Sequence, residues 1–239
     1  MIKHWWKALA TLLILYSIVF GFLGEVSTLP ILNETIRVLY FHVPMWFSMI
    51  ALMGGSMVFS IRYLSKSAPK AQDQGLDEKI TKERFSITDA LDADSRANIL
   101  AKTGFVFAFL GLISGSIWAR FTWGAFWVND PKLNGTAITI LTYLAYFVLR
   151  GSVEDENKRA RLAAVYNIFA FVMMIVFIGI LPRLTDSLHP GNGGNPAFGK
   201  YDLDNNMRPV FYSAALGWIL IGYWIAQIRY RIHKLQADV

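Results

Sequence analysis

The chain has 239 residues, of which 54% are hydrophobic and 17% are charged, whereas a water-soluble domain carries about 25% charged residues. It has no cysteine, which excludes a disulfide, a thiolate metal site and thiol redox chemistry of its own. The net charge of +6 is consistent with attraction to anionic lipid headgroups and does not by itself indicate nucleic-acid binding.

Six apolar runs predict an all-α, polytopic membrane protein. Most of them approach the roughly 20 residues that a helix needs to cross about 30 Å of hydrocarbon. Only helices and closed barrels satisfy their backbone polar groups in lipid, and long runs without alternation are typical of helices. We expect one integral domain, 1–239, with spans at about 8–24, 45–64, 98–118, 135–150, 162–182 and 209–228.

The first run follows Lys3 and Lys7 and resembles the start of a signal peptide. It ends without a small-x-small cleavage pattern, so we expect a retained helix. In the connection after it, apolar residues recur at helical spacing between Ile31 and Phe41 and predict a helix in the plane of the interface. Pro44 is then expected to begin the second span.

The distribution of Lys and Arg predicts the orientation of the chain. Seventeen of the 23 lie beside the two termini and the second and fourth connections, and six lie in the other connections. We therefore expect both termini in the cytoplasm, with a tryptophan-rich segment, 118–135, and a loop, 183–208, on the outer side. The cytoplasmic connection 65–97 predicts a solvated loop with a helical extension of the third span; the alternative is a docking surface for a cytoplasmic partner.

The fourth apolar run is short. Thr136 to Leu149 is 14 residues, which covers about 21 Å at 1.5 Å per residue. We expect part of the preceding tryptophan-rich segment to complete the crossing, since aromatic rings favour the bilayer boundary.

Two histidines, His42 and His189, fall on the expected outer side, and each is followed within two residues by a proline. A neutral imidazole coordinates iron through one ring nitrogen while an acceptor orients the other. The alternative for each is an interfacial histidine with a structural hydrogen bond. The residues after Pro190, 191–196, predict an irregular loop.

Trp118, Trp123 and Trp127 recur at spacings of five and four, with Gly124 and Phe126 among them. An interfacial belt explains other tryptophans of the chain, namely Trp5, Trp6, Trp46, Trp218 and Trp224. A belt has no need of the glycine. A flat macrocycle would use both the rings and a small residue that lets the backbone come close, so these residues with two imidazoles favour haem as a ligand.

Asp130 closes the tryptophan-rich segment and has two candidate roles. It could orient an imidazole or cap the helix that follows, and capping is the commoner role of such an aspartate. Haem carries two carboxylates, for which arginine has the better geometry. The candidate partners are the outer bases near the span ends, Arg120, Lys132, Arg183 and Arg208.

At this point the sequence resembles a known family, the cytochrome c biogenesis haem-handling proteins with a tryptophan-rich "WWD" segment. The resemblance rests on Phe41-His42-Val43-Pro44, the run Trp123 to Leu133, and Leu188-His189. Six spans and this length are most like the haem exporter protein C (CcmC) branch. Two residues depart from the usual pattern of the segment: Asn129 stands before Asp130 where tryptophan is usual, and Phe126 stands where tryptophan is common. The sequence Asp130-Pro131-Lys132 is more like the CcsA type than the CcmC branch.

The resemblance implies that His42 and His189 are axial ligands of a non-covalent haem b, and that Trp123, Gly124, Trp127 and Asp130 help to hold it. It implies delivery of haem to a periplasmic chaperone of the CcmE type for cytochrome c maturation, beside ATP-binding-cassette partners of the CcmA, CcmB and CcmD types. The chain would lie in the bacterial inner membrane, with the haem on the periplasmic side. It would be no enzyme, and because it lacks a Gly-rich phosphate motif, a partner would hydrolyse any ATP.

Other functions stay open. A transporter or proton channel would place ionisable residues within its spans, and the apolar runs contain almost none. A non-haem structural subunit of a membrane transport complex would tolerate replacement of both outer histidines. A bis-histidine electron carrier commonly ligates haem from within its spans, and a CcsA-type haem channel or synthase component would share the outer site.

Overall fold

The computed structural model describes residues 4–27, 29–67, 76–190, 197–199 and 202–237, with the side chains of all of these except 76–87. The helices are α1 (Trp5–Leu23), α2 (Leu39–Ser67), α3 (Leu76–Trp123), α4 (Pro131–Ser152), α5 (Glu156–Met174), α6 (Leu181–Leu184) and α7 (Met207–Ala237). A 3-10 helix, Asn33–Val38, leads into α2, and a π-helix, Ile175–Ile180, joins α5 to α6. In this part of the chain there is no strand.

Six of these helical segments are long and apolar enough to span a membrane: Trp5–Leu23, Asn33–Ser67, Thr88–Trp123, Pro131–Ser152, Glu156–Leu184 and Met207–Gln236. The prediction of an all-α protein with six membrane-spanning helices is therefore confirmed. Many leucine, isoleucine, valine and phenylalanine side chains of these segments point outward, as expected where lipid is the solvent.

The second span begins earlier than predicted. Pro44 lies inside α2, which starts at Leu39 directly after the 3-10 helix. The expectation that this proline opens the helix was wrong because Ile36, Leu39 and Tyr40 are buried in one apolar cluster with residues around Met207 at the start of α7. That packing holds the turns before the proline in helical form, although proline donates no hydrogen bond to the preceding turn.

The fourth span is longer than predicted. Helix α4 has 22 residues, about 33 Å at 1.5 Å per residue. It begins at Pro131, inside the segment 118–135, so the last residues of the tryptophan-rich segment supply the extra length, as expected. The apolar run missed the first turns, which contain Lys132 and Gly135. Gly135 is needed there, since a Cβ atom at this position would come 2.2 Å from the carbonyl oxygen of Phe177 on the π-helix.

The connection 65–97, expected as a solvated loop with a helical extension of the third span, is helical from Leu76 onward, so α3 runs for 48 residues. The part of this extension whose side chains are described packs against other helices: Ala90 and Ala93 are buried with Tyr63 and Ala160. The residues 68–75 and the irregular loop predicted at 191–196 lie outside the described residues.

The centre of the fold is α2, which packs along α3 and against α5 and α7, while α1 packs on α7 and α4 on α5. Helices α2 and α3 run antiparallel, because Met53 meets Gly104, Trp46 meets Gly111 and His42 meets Gly115. The start of α2 therefore lies beside the end of α3. The start of α4 lies beside the π-helix, which brings four chain segments to one end of the bundle.

Candidate functional site

His42 lies in the first turns of α2 with both ring nitrogens engaged. Its Nε2 lies 3.3 Å from the indole nitrogen of Trp46. An indole N–H can only donate, so Nε2 accepts it and carries the lone pair of the neutral imidazole. The proton is then on Nδ1, which donates to the Ser114 hydroxyl oxygen at 3.1 Å.

Two glycines of α3 make room for this arrangement. A Cβ atom at Gly115 would come 2.5 Å from Cε1 of His42, and one at Gly111 would come 2.9 Å from the Trp46 indole. The two glycines are four residues apart and so lie on one face of α3, as in close helix pairs of membrane proteins. The imidazole and the indole consequently rest directly on the α3 backbone.

Trp118 also packs against His42. The two rings meet edge to face with their centroids 5.9 Å apart, and the Trp118 indole N–H donates to the Thr35 hydroxyl at 3.3 Å. The 3-10 helix, α2 and α3 are thus fastened together at this tryptophan.

His189 is held by Asp130. Its Nδ1 is 3.0 Å from Asp130 Oδ1, and the Asp130 side chain is only 1% exposed. The carboxylate also accepts from the Ser187 hydroxyl at 2.9 Å, from the Leu188 backbone N–H at 2.7 Å and from the Lys132 backbone N–H at 2.9 Å. The aspartate therefore does both things expected of it: it caps α4 and it orients an imidazole.

These contacts fix the charge of Asp130 and the tautomer of His189. Burial opposes ionisation, but hydrogen bonds from His189, Leu188 and Ser187 outweigh it and hold the pKa of the Asp130 carboxyl well below its usual range. An ionised carboxylate only accepts, so His189 donates from Nδ1, and the neutral form of this imidazole carries its lone pair on Nε2.

In the rest of the tryptophan-rich segment, one ring packs against His189 and two rings are exposed on the surface. The Trp123 ring meets His189 edge to face at 4.8 Å, after which Gly124 turns the chain with φ of +80°. Nothing lies within 4 Å of the position of a Cβ atom there. Phe126 and Trp127 follow on the surface, 60% and 41% exposed, and form an exposed aromatic rim on the chain that leads from Trp123 to Asp130.

The four candidate bases lie in two places. Arg120 donates to the Gly124 carbonyl, and Lys132 reaches the Pro190 carbonyl at 3.5 Å. Lys132 thus contacts the residue after His189, and Arg120 contacts the residue after Trp123. Arg183 is exposed and donates to the Gly179 carbonyl, and Arg208 donates to the Phe198 carbonyl at 3.3 Å beside α7.

The two histidines belong to one cluster. His42 packs against Trp118 and His189 packs against Trp123, and these two tryptophans lie five residues apart at the end of α3. The structure therefore brings His42, Trp118, Trp123, Asp130 and His189 together.

Sequence reasoning missed three contributors to this cluster. Trp46 was assigned to the interfacial belt, yet its N–H bonds His42. Ser114 and Gly115 drew no attention on α3. Two signals were available: Trp46 follows His42 by one helical turn, and Gly111 and Gly115 have the spacing of a close helix contact.

Comparison with known proteins agrees with this geometry. Residues 4–183 match the model of a family described as cytochrome C assembly protein. The chain belongs to the cytochrome c assembly protein family. The match includes His42 and the whole tryptophan-rich segment and ends six residues before His189. Membership supports a role in cytochrome c biogenesis, and with the six apolar helices it marks the chain as an integral membrane protein.

Two named relatives represent two branches. The chain is 31% identical over 168 residues to "Cytochrome c biogenesis protein CcsA" of Prochlorococcus marinus subsp. pastoris, covering 64% of this chain and 52% of that protein. It is 28% identical over 142 residues to "Heme exporter protein C" of Haemophilus influenzae, covering 58% of this chain and 56% of that protein. The chain thus spans about half the length of the curated relatives it matches.

Proposed function

We propose that this protein binds haem at its outer face through His42 and His189 and delivers it to a periplasmic haem chaperone for cytochrome c maturation. The observation that carries the proposal is the pair of imidazoles in one cluster, each donating from Nδ1 and each with its lone pair on Nε2. This is the protonation pattern that a metal-ligating histidine needs.

The surrounding residues fit a haem better than a lone metal ion. Two imidazoles suit haem iron, and the rings of Trp118 and Trp123 lie against the imidazoles. The exposed rings of Phe126 and Trp127 provide apolar surface at the rim. Arg120, Lys132 and Arg183 offer cations for two carboxylates at the edge of a macrocycle, and the name of the Haemophilus influenzae relative adds independent support.

The same donor set argues for carriage rather than catalysis. Two axial histidines fill both open positions of the iron, which leaves no position for oxygen, so we infer that the protein is not an enzyme. With no cysteine in the chain, the bound haem b would be non-covalent. Asp130 keeps His189 in the ligating tautomer, and release requires at least one imidazole to give up its place.

The charge distribution and the family support the proposed setting of the protein in the membrane. We place the protein in the bacterial inner membrane with the histidine cluster on the periplasmic side, because 17 of its 23 Lys and Arg residues lie on the other side. A chaperone of the CcmE type would dock at the exposed aromatic rim. Partners of the CcmA, CcmB and CcmD types would supply ATP hydrolysis.

The delivery step can be tested directly. Haem-loaded protein in membrane vesicles is mixed with soluble apo-chaperone, and the haem recovered with the re-isolated chaperone is measured. We expect transfer from the native protein and none from the doubly substituted His42→Ala, His189→Ala protein. Equal transfer from both would contradict the proposal.

A second candidate is favoured by the CcsA relatives and by the sequence Asp130-Pro131-Lys132. In that case the protein would act as a component of a CcsA-type haem channel or synthase. The same vesicles, offered apocytochrome c in place of the chaperone, separate the two candidates by the acceptor that takes up haem.

A further inference from the structure

The two histidines are held by different kinds of partner. His189 Nδ1 bonds an ionised carboxylate that three further donors fix in place, and charge-assisted hydrogen bonds of this kind are about twice as strong as neutral ones. His42 Nδ1 bonds only the neutral Ser114 hydroxyl. The His189 imidazole is therefore the more firmly oriented and the more basic ligand.

The second difference concerns the ligating nitrogen itself. Nε2 of His42 already accepts the Trp46 indole N–H, so Trp46 and an iron atom would compete for one lone pair. The distance of 3.3 Å is at the long end of the range for a hydrogen bond. Gly111 and Gly115 keep the two rings beside each other by letting both lie on the α3 backbone.

Trp46 differs in this respect from Trp118, the other tryptophan against His42. The Trp118 N–H is used by Thr35, so Trp118 packs against the imidazole without claiming its lone pair. Among the described side chains, only Trp46 donates a hydrogen bond to Nε2 of His42 and could compete with iron for its lone pair.

We propose that Trp46 is a positioning residue that competes for Nε2 of His42 and thereby makes His42, not His189, the axial ligand that is released when haem is handed on. This inference rests on the proposed haem function. Trp46 bonds His42 in the empty site, yields the nitrogen on loading and takes it back on release. His189 remains in place throughout because Asp130 holds it.

Replacement by Trp46→Phe tests this, because phenylalanine keeps an aromatic ring and removes the N–H. The measured quantity is the rate at which excess imidazole replaces one axial histidine of the haem-loaded protein, followed by stopped-flow absorbance. Removing one neutral hydrogen bond that competes with the ligand should slow this exchange about five-fold. Trp218→Phe is the matched control, since Trp218 lies on α7 against Phe107 and its N–H bonds no described group; it should exchange at the native rate.

A second measurement needs no haem. In apo-protein with ¹⁵N-labelled histidine, Trp46→Phe should shift the Nε2 resonance of His42 and leave that of His189 unchanged. Haem-loaded Trp46→Phe protein that exchanges at the native rate, or an unchanged His42 resonance, would overturn the role of Trp46. If none of the proteins binds haem, the proposed function fails and this inference falls with it, so the two failures are distinguishable.

Discussion

Asp130 caps the start of α4 and accepts a hydrogen bond from His189. Its negative charge is what fixes the proton of His189 on Nδ1. Asp130→Asn keeps the shape of the side chain but removes the ionised acceptor that fixes the His189 tautomer. Loss of such a partner typically weakens metal binding by about 10- to 100-fold. We expect a decrease of that size in haem affinity, measured by absorbance titration of the purified apo-protein.

The control for this change is Asp204→Asn. Asp204 also accepts from a serine hydroxyl, that of Ser27, and from backbone N–H groups at a helix start, those of Asn206 and Met207, but it holds no histidine. Haem affinity should stay at the native value in this variant. Equal losses in the two variants would mean that the effect of Asp130 is only structural.

Gly115 permits the position of His42. The Cβ atom of Gly115→Ala would meet Cε1 of His42 at 2.5 Å, so the imidazole must move away from α3 and from Ser114. We expect the haem-loaded variant to lose its low-spin absorption features, which require both axial ligands. Gly151→Ala, where nothing lies within 4 Å of the added atom, should retain them.

Among single residues, the sequence predicts the two histidines and the aspartate of the site but not the residues that hold His42. We could predict His42, His189 and Asp130 because their side chains can bind a metal or orient an imidazole and because they lie beside the apolar runs. The role of Trp46 was missed because a tryptophan near a span end is common in interfacial belts. Ser114 and Gly115 could be assigned only after the register of α2 against α3 was known, which no pattern in either helix specifies alone.

At the scale of the elements, a buried ion pair joins α3 to α4 at the end opposite the histidines. Arg150 donates to both oxygens of Asp94, with one distance of 2.7 Å, and the two side chains are 12% and 8% exposed. Asp94→Ala leaves Arg150 buried and unpaired, which should cost about 3–5 kcal/mol. Equilibrium unfolding in mixed detergent micelles, followed by circular dichroism, measures this loss.

Two control variants test whether the loss of stability in Asp94→Ala arises from the burial of the ion pair. Glu34→Ala removes the exposed partner of Arg37 and should change the free energy of unfolding by less than about 1 kcal/mol. Replacing both members, as Asp94→Leu with Arg150→Met, should recover most of the loss because no charge is left buried. A double variant as unstable as Asp94→Ala would contradict this account of the pair.

The number of spanning helices follows from the sequence, whereas several of their ends do not. Apolar content is enough to find six segments, because a helix that crosses the hydrocarbon core of a bilayer needs about 20 mostly apolar residues. The start of α2 depends on burial of Ile36 and Tyr40 against residues near α7, and the start of α4 depends on the Asp130 cap and on Gly135 beside Phe177. These are tertiary contacts, so hydropathy placed both starts too late.

At the scale of the whole molecule, the charge distribution predicts which side of the membrane each end faces. The absence of cysteine makes single-cysteine labelling clean. Asn129→Cys, beside the histidine cluster, should react with a membrane-impermeant maleimide in intact spheroplasts. Ser152→Cys, at the far end of α4, should react only after lysis, and the reverse pattern would invert the predicted orientation.

The cluster brings together the start of α2, the end of α3, the start of α4 and the chain after α6, so the site exists only when these helices are assembled. The most direct test of its function is the visible absorption spectrum of detergent-purified protein from haem-replete cells, beside His42→Ala and His189→Ala. We predict a Soret band with low-spin features in the native protein that is lost or altered in each variant. A native protein that binds no haem on reconstitution, or a spectrum unaffected by both substitutions, would contradict the assignment of His42 and His189 as axial ligands.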